Sequence, residues 1–148
     1  MSKIIIVSNR LPIKIQKNKN SYDFINSSGG VATGMDSIHS KNETLWIGWP
    51  GIALDELNDE ILKDLNQFLE AKNFKAVNLN KEEIKDFYYG LSNKSLWPLF
   101  HYFIEYSVFD KSNWDSYQKV NDKFAQCIIE NYNEGDLIWI HDYQLMLC

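Results

Sequence analysis

The chain has 148 residues, of which 45% are hydrophobic and 24% are charged, which is enough apolar material for one globular domain or part of one. Its net charge of -5 gives no general attraction for polyanions and argues against nucleic acid or an anionic membrane as a partner. The 2 cysteines and 3 histidines show neither a disulfide framework nor zinc-ligand spacing, so we expect a reduced protein without a metal or other cofactor.

The first third of the chain alternates apolar runs with turn residues. The run 4–8 is rich in β-branched residues and predicts a strand buried in a parallel sheet, too short for a signal peptide or a membrane span, so the cytoplasm is the expected location. Apolar residues on either side of the polar stretch 17–21 predict a hairpin. The spacing over 31–40 predicts a short helix, and 44–48 predicts a second buried strand.

The rest of the chain continues the alternation of helix and strand. Apolar residues at three- and four-residue steps over 57–69 predict an amphipathic helix, and 74–79 predicts a third strand. Asn80 and Glu83 predict a capped helix that runs toward Tyr88 and Tyr89. A further helix is expected from 114 to about 133, followed by a strand at 137–140. This order predicts a doubly wound α/β domain, which binds ligands at the carboxyl ends of its parallel strands.

Two features at predicted strand ends and turns suit phosphate binding. Arg10 follows the first strand, where its guanidinium is suited to bind a phosphate, although a surface arginine in a salt bridge fits the position equally well. Gly29 and Gly30 precede the predicted helix at 31–40, so backbone N–H groups there can face an anion. An ordinary loop turn would give the same pair of glycines at least as often.

Aromatic and acidic residues supply weaker candidates for sugar binding. The aromatic set with polar tips suits stacking against sugar rings, but core packing is the more common role for such residues; it comprises Tyr88, Tyr89, Trp97, His101 and Tyr102. Asp142, beside His141 at a strand end, is suited to orient sugar hydroxyls. A His-Asp pair is, however, more often part of a capped, hydrogen-bonded structural element. Composition and spacing alone therefore indicate an α/β protein that binds a phosphate or a sugar.

An ordered set of motifs, several of which contain tryptophan, indicates a more specific function. The motifs span the whole chain: VSNRLP (7–12), SSGG (27–30), LWIGW (45–49), YYGLSN (88–93), LWPLFHY (96–102), WDSY (114–117) and WIHDYQLML (139–147). In this order they resemble the alpha,alpha-trehalose-phosphate synthases. The resemblance implies a Rossmann-like parallel sheet with helices on both faces, as part of the amino-terminal lobe of a two-lobed GT-B glycosyltransferase.

The same resemblance implies a reaction and a set of site residues. The family transfers glucose from UDP-glucose to glucose 6-phosphate with retention of configuration, gives trehalose 6-phosphate, and needs no metal. Arg10 and Tyr89 would contact the acceptor phosphate, and Trp97 would wall the acceptor site. Asp142 would be a catalytic residue that hydrogen-bonds sugar hydroxyls. Gly29 and Gly30 would approach the diphosphate of the donor.

The resemblance also indicates how much of such an enzyme is present. Residues 1–148 correspond to an incomplete amino-terminal, acceptor-side lobe, and the carboxyl-terminal nucleotide-sugar lobe is absent from the sequence. Because that lobe supplies the cations that neutralise the leaving diphosphate, we expect the chain to be inactive alone. The alternative is a non-catalytic sugar-phosphate-binding or regulatory module associated with a full-length synthase. A homo-oligomer or a synthase complex is compatible with both readings.

Overall fold

The computed structural model describes residues 2–18, 21–27, 33–35, 38–39 and 43–148. Its strands are β1 (Ile4–Arg10), β2 (Ile13–Lys17), β3 (Tyr22–Asn26), β4 (Thr44–Trp49), β5 (Phe74–Ala76) and β6 (Leu137–Ile140). Its longer helices are α1 (Asp59–Glu70) and α4 (Lys111–Asn131). Between them lie α2 (Lys81–Glu83), a π-helical segment (Ile84–Leu96) and α3 (Trp97–Phe100). Short 3-10 turns occur at Leu54–Glu56, Ile104–Tyr106 and Tyr143–Leu145.

The four-stranded sheet is parallel throughout, in the order β5-β4-β1-β6, and β2 and β3 form a separate antiparallel hairpin. Alternate residues of β1 point to opposite faces. Ile5 and Val7 pack in a core that includes residues of α4, whereas Ile6 packs in a second core with residues of α1. The predicted α/β fold, with a parallel sheet covered by helices on both faces, is therefore confirmed.

Most predicted elements are confirmed, with shifted ends. The first strand extends to Arg10, the hairpin forms, and β6 has the predicted bounds. The third strand was predicted too long, because only Phe74–Ala76 pairs with β4 and the chain then turns away, with the Leu79 carbonyl accepting from the Leu54 amide at 2.8 Å. The helix predicted over 31–40 lies partly outside the described residues; 33–35 and 38–39 are helical.

The helix that follows Asn80 continues beyond Tyr89 and changes from an α-helix to a π-helix, which the sequence pattern does not indicate. Its start is the predicted capping box, in which the Glu83 amide donates to Asn80 Oδ1 at 2.8 Å and Glu83 Oε2 accepts from the Asn80 amide at 3.0 Å. It then continues as the π-helical segment, and the Trp97 amide donates to the Ser92 carbonyl five residues back. Pro98 has no N–H for the Lys94 carbonyl, which accepts from the Val108 amide at 2.9 Å instead.

A bulge distorts the end of β1. The register with β4 shifts between Val7 and Arg10, and Arg10 pairs with Trp49. The two backbones approach closely beside this bulge, because a Cβ at Gly48 would lie only 2.9 Å from the Ser8 carbonyl oxygen and 2.9 Å from the Leu11 nitrogen. A bulge bends its strand and re-aims the side chains at the strand end. Gly48 is therefore required for the course of the backbone that carries Arg10.

Hydrogen bonds from α4 fix the segment that follows β6. The Tyr117 hydroxyl donates to the Tyr143 carbonyl at 2.6 Å and accepts from the Met146 amide at 3.2 Å. Asn121, which is fully buried, donates to the Gln144 carbonyl at 3.0 Å and accepts from the Leu147 amide at 3.1 Å. Two side chains of one helix thus position the turn at 143–147, and this set of bonds is called the α4 clamp below.

The strand β6 presents apolar side chains to solvent. Leu137, Ile138, Trp139 and Ile140 are all between 37% and 59% exposed, and β6 is an edge of the sheet in the part of the chain that the structure describes. None of the helices described is long and apolar enough to cross a membrane. Exposed apolar surface of this kind favours self-association of the chain.

We expect Asn121→Ala to lower the free energy of unfolding by about 2 kcal/mol, because it leaves the Gln144 carbonyl and the Leu147 amide without their partner in a buried region. Urea unfolding followed by circular dichroism measures this change. Gln126→Ala is the matched control on the same helix, since its bond to Glu130 is exposed and its loss should change stability by less than about 0.5 kcal/mol. Equal effects of the two substitutions would contradict the structural role of the α4 clamp.

Candidate functional site

A pocket of about 490 Å³ opens at the carboxyl ends of β1 and β6, and we call it the strand-end pocket. One wall is formed by residues 8–14, which include the bulge of β1 and the start of the hairpin. The other wall carries His141, Asp142 and Gln144 from the segment after β6, and Ser27, Trp46 and Tyr88 complete the lining. Adjacent parallel strands end here, which is where doubly wound sheets bind their ligands.

Arg10 and Lys14 bring positive charge to the strand-end pocket. The Arg10 guanidinium carbon lies 5.4 Å from the centre of the Trp49 ring, a cation–π geometry that holds an exposed side chain in place. Among the described residues, no carboxylate comes within salt-bridge distance of Arg10, so the surface salt bridge left open by the sequence is not observed there. An oriented guanidinium without an acidic partner is suited to bind an anion such as phosphate.

The backbone around Arg10 is held by buried contacts. The Trp46 indole donates to the Ser8 hydroxyl at 2.8 Å, and that hydroxyl donates to the Arg10 carbonyl at 2.8 Å. The Arg10 guanidinium also packs against Gly51, which has a φ of 94°. A Cβ at Gly51 would stand 2.3 Å from Arg10 Nη2, so the guanidinium occupies space that only glycine leaves open.

Asp142 has a strained backbone at the opposite wall. Its φ of 74° and ψ of 167° fall in a region that is essentially limited to glycine, and such strain concentrates at functional sites. Its carboxylate accepts from the Tyr143 amide at 2.8 Å and lies at an exposed position. The pKa of the neighbouring His141 is lowered by burial, with partial compensation by the charge of Asp142, so the imidazole is neutral at pH 7.

The structure brings only some of the predicted site residues together. Arg10 and Asp142 line the same pocket. Tyr89 is 56% exposed and packs edge-on at 5.0 Å against Tyr88, the aromatic residue that does line the pocket. Trp97 is 43% exposed and stacks on His101 at 4.2 Å. Within the described part of the chain, neither Tyr89 nor Trp97 lines the strand-end pocket, and their contacts with an acceptor stay predictions.

The two glycines assigned to the donor, Gly29 and Gly30, lie outside the described residues, so their role also stays a prediction. The sequence reading did not assign Asn9, Lys14 or Gln144 to the site, although all of them line the pocket. Asn9 comes directly after the predicted strand 4–8, which is a usable signal for a residue at a strand end. Lys14 and Gln144 carry no such local signal, because their placement depends on the hairpin and on the α4 clamp.

Comparison with known proteins identifies the family. Residues 2–148 match the sequence profile of glycosyltransferase family 20. The chain belongs to this family. The alpha,alpha-trehalose-phosphate synthase (UDP-forming) of Emericella nidulans is 42% identical over 147 residues, which cover 99% of this chain and 29% of that protein. The 56 kDa subunit of the same synthase from Saccharomyces cerevisiae is 43% identical over 148 residues, with 97% and 29% covered.

Solved structures of family 20 enzymes share the fold. The alpha,alpha-trehalose 6-phosphate synthase of Burkholderia multivorans matches with a TM-score of 0.71 and 29% identity, over 98% of this chain and 29% of its own. The synthase of Burkholderia xenovorans in complex with glucose-6-phosphate matches with a TM-score of 0.70 and 28% identity, over 97% and 29%. An E. coli structure bound with UDP-2-fluoro glucose gives 0.71 and 28%, over 97% and 28%.

These matches define what part of a family 20 enzyme the chain represents. It spans 29% of the length of the Emericella nidulans relative and 29% of the Burkholderia multivorans structure. Its parallel sheet, with helices on both faces, is part of the amino-terminal lobe of a GT-B glycosyltransferase.

We expect Gly51→Ala to weaken binding of inorganic phosphate by about tenfold, because the new Cβ displaces the Arg10 guanidinium and removes a charged hydrogen bond. Phosphate titration followed by NMR measures the affinity. Gly34→Ala is the control, since a Cβ there meets nothing within 4 Å. In an Arg10→Ala background, Gly51→Ala should have no further effect on phosphate affinity. If it still weakens phosphate binding in that background, Gly51 does not act by positioning Arg10.

We expect Asp142→Gly to be more stable than Asp142→Ala by about 1 kcal/mol, since glycine relieves the strain at a φ of 74° while both variants lose the carboxylate. For a chain of this size the difference corresponds to about 3 °C in thermal midpoint, measured by differential scanning fluorimetry. Equal midpoints for the two variants would show that the backbone at this position is unstrained.

Proposed function

We propose that this chain supplies the acceptor side of a glucosyltransferase that makes trehalose 6-phosphate, with glucose 6-phosphate bound in the strand-end pocket. One observation carries the proposal: a guanidinium without an acidic partner in the described chain, Arg10, lines the same pocket as Asp142, a carboxylate residue with a strained backbone. A sugar phosphate needs a cation for its phosphate and hydrogen-bonding groups for its hydroxyls, and the two walls provide these separately.

Membership of family 20 supports the identity of both substrates. The relatives carry the name UDP-forming synthase, one related structure holds glucose-6-phosphate, and another holds an analogue of UDP-glucose. We extend these ligands to this chain: glucose 6-phosphate as acceptor and UDP-glucose as donor. No cofactor or metal takes part in the proposed reaction.

The proposed reaction is a displacement at the anomeric carbon of the donor. The hydroxyl on C1 of glucose 6-phosphate attacks that carbon, the bond from it to the diphosphate oxygen breaks, and the hydroxyl proton leaves with UDP. Attack from the face of the leaving group retains the configuration. In this scheme Arg10 binds the acceptor phosphate and Asp142 orients sugar hydroxyls, so both lower the entropic cost of the encounter.

The remaining predicted residues extend this scheme beyond the pocket lining. Tyr89 packs on Tyr88 at the pocket wall, and we propose that it reaches the acceptor phosphate together with Arg10. Trp97, one segment further along the same helical run, would wall the acceptor. Gly29 and Gly30 would approach the donor diphosphate through their backbone N–H groups.

Catalysis by the 148 residues alone is not expected. Negative charge develops on the leaving diphosphate, and stabilising it is usually the largest catalytic contribution. In this scheme the two cations that line the strand-end pocket, Arg10 and Lys14, would face the acceptor phosphate. We therefore propose that the transfer requires the additional 70% or so of the chain that the relatives possess, since this chain spans 29% of them.

We expect the 148-residue chain to bind glucose 6-phosphate weakly, with Arg10→Ala reducing the affinity by about ten- to a hundredfold because a charged hydrogen bond to phosphate is lost. Ligand-observed NMR titration measures the affinity, and a coupled assay of UDP release with UDP-glucose should show no turnover. Lys17→Ala removes a nearby surface charge on the hairpin outside the pocket lining and is the matched control.

Two results would contradict this proposal. If Arg10→Ala and Lys17→Ala weaken binding equally, the attraction is general and Arg10 is not the phosphate ligand. If UDP is released faster than with a heat-killed control, the additional part of the relatives is dispensable for transfer.

A further inference from the structure

Buried polar atoms without partners gather at the strand-end pocket. In the part of the chain that the structure describes, the buried side-chain atoms that make no hydrogen bond are Asn9 Oδ1, Ser92 Oγ, His141 Nε2 and Gln144 Oε1. Of these, Asn9, His141 and Gln144 line the pocket, and Ser92 does not. Buried polar groups are nearly always hydrogen-bonded in native proteins, so this concentration at one cavity requires an explanation.

The orphan groups are held in place by the fold. Asn9, which is 9% exposed, sits in the bulge of β1 beside the close backbone approach at Gly48. Gln144, which is 8% exposed, belongs to the turn whose backbone is fixed by the α4 clamp. The His141 amide donates to the Val7 carbonyl at 2.9 Å, and its ring packs at 4.9 Å from Trp139. These contacts fix the backbone positions from which the three side chains reach the pocket.

The chemistry of the orphan atoms specifies the ligand group. The side-chain oxygens of Asn9 and Gln144 accept hydrogen bonds and cannot donate them. The phosphate group of a sugar phosphate is mostly a dianion at neutral pH, so its oxygens accept hydrogen bonds and leave these atoms unsatisfied. A hydroxyl group can donate to either oxygen, and the neutral His141 ring can pair with a hydroxyl as donor or acceptor. The lining thus contains two chemistries: cations for an anion, and acceptors for a polyol.

We propose that Asn9, His141 and Gln144 form a hydroxyl-recognition site for the neutral ring of a sugar phosphate whose phosphate is bound at Arg10. The inference rests on the proposed function and deepens it, because it assigns the residues that distinguish a sugar phosphate from phosphate alone. The site selects a ligand that presents hydroxyl donors to both walls of the strand-end pocket, from the bulge of β1 and from the turn after β6.

The test compares two ligands and two nearly isosteric variants of the 148-residue chain. Gln144→Met and Asn9→Leu each remove one acceptor with little change of volume. We expect each to weaken binding of glucose 6-phosphate by about 2- to 10-fold, the range for a neutral hydrogen bond, and to leave the affinity for inorganic phosphate unchanged. Both affinities are measured by ligand-observed NMR titration.

A stability measurement separates ligand recognition from a structural role. Replacing an unpaired buried polar group by an apolar one of similar shape is neutral or stabilising, so the thermal midpoint of the free chain should stay equal or rise in both variants. Ser92→Ala is the matched control, because it removes an orphan hydroxyl away from the pocket. It should keep or raise the midpoint in the same way while leaving both ligand affinities unchanged.

The outcomes distinguish this inference from the proposed function. If glucose 6-phosphate binds no more tightly than inorganic phosphate, and both depend on Arg10, the hydroxyl site is refuted while the phosphate site stands. Lower midpoints in Gln144→Met and Asn9→Leu would also overturn it, since the amides would then be structural. Absence of Arg10-dependent binding for either ligand would overturn the proposed function and the inference together.

Discussion

The central position of β1 in the sheet is the constraint on which the candidate site depends. β1 pairs in parallel with β4 on one side and with β6 on the other, and Ile4 is in register with both Thr44 and Leu137. Parallel pairing brings the carboxyl ends of these strands to one edge, although β1 and β6 are more than a hundred residues apart in the chain. The walls of the strand-end pocket therefore come from the start and the end of the sequence.

Much of this arrangement could be predicted because it follows from local patterns. Runs of apolar residues located β1, β4 and β6, and helical spacing located α1 and α4. The errors have physical causes that act across the chain. The pairing of β5 with β4 stops at Ala76 although apolar residues continue to Leu79, and apolar spacing does not specify that Ile84–Leu96 is π-helical. Single-sequence patterns do not contain such non-local bonds.

The residues of the candidate site likewise include some that local patterns predict and others that depend on contacts across the chain. Arg10 and Asp142 were predictable because each follows an apolar strand, and the resemblance to a family added weight to both. Gln144 was not, since its place at the pocket is set by its backbone bond to Asn121. Tyr89 and Trp97 were selected from their aromatic set and from the family motifs, and the structure gives them exposed positions outside the pocket lining.

The α4 clamp has a consequence for the dynamics of the pocket. Asn121 and Tyr117 bond the turn that follows Asp142 to the middle of a helix whose apolar face packs in the core. Local opening events usually involve such contiguous units rather than single loops. The wall that carries Asp142 should accordingly exchange its amide hydrogens together with α4, whereas the wall around Arg10 opens with the sheet. A ligand bridging the two walls would join these two opening units into one.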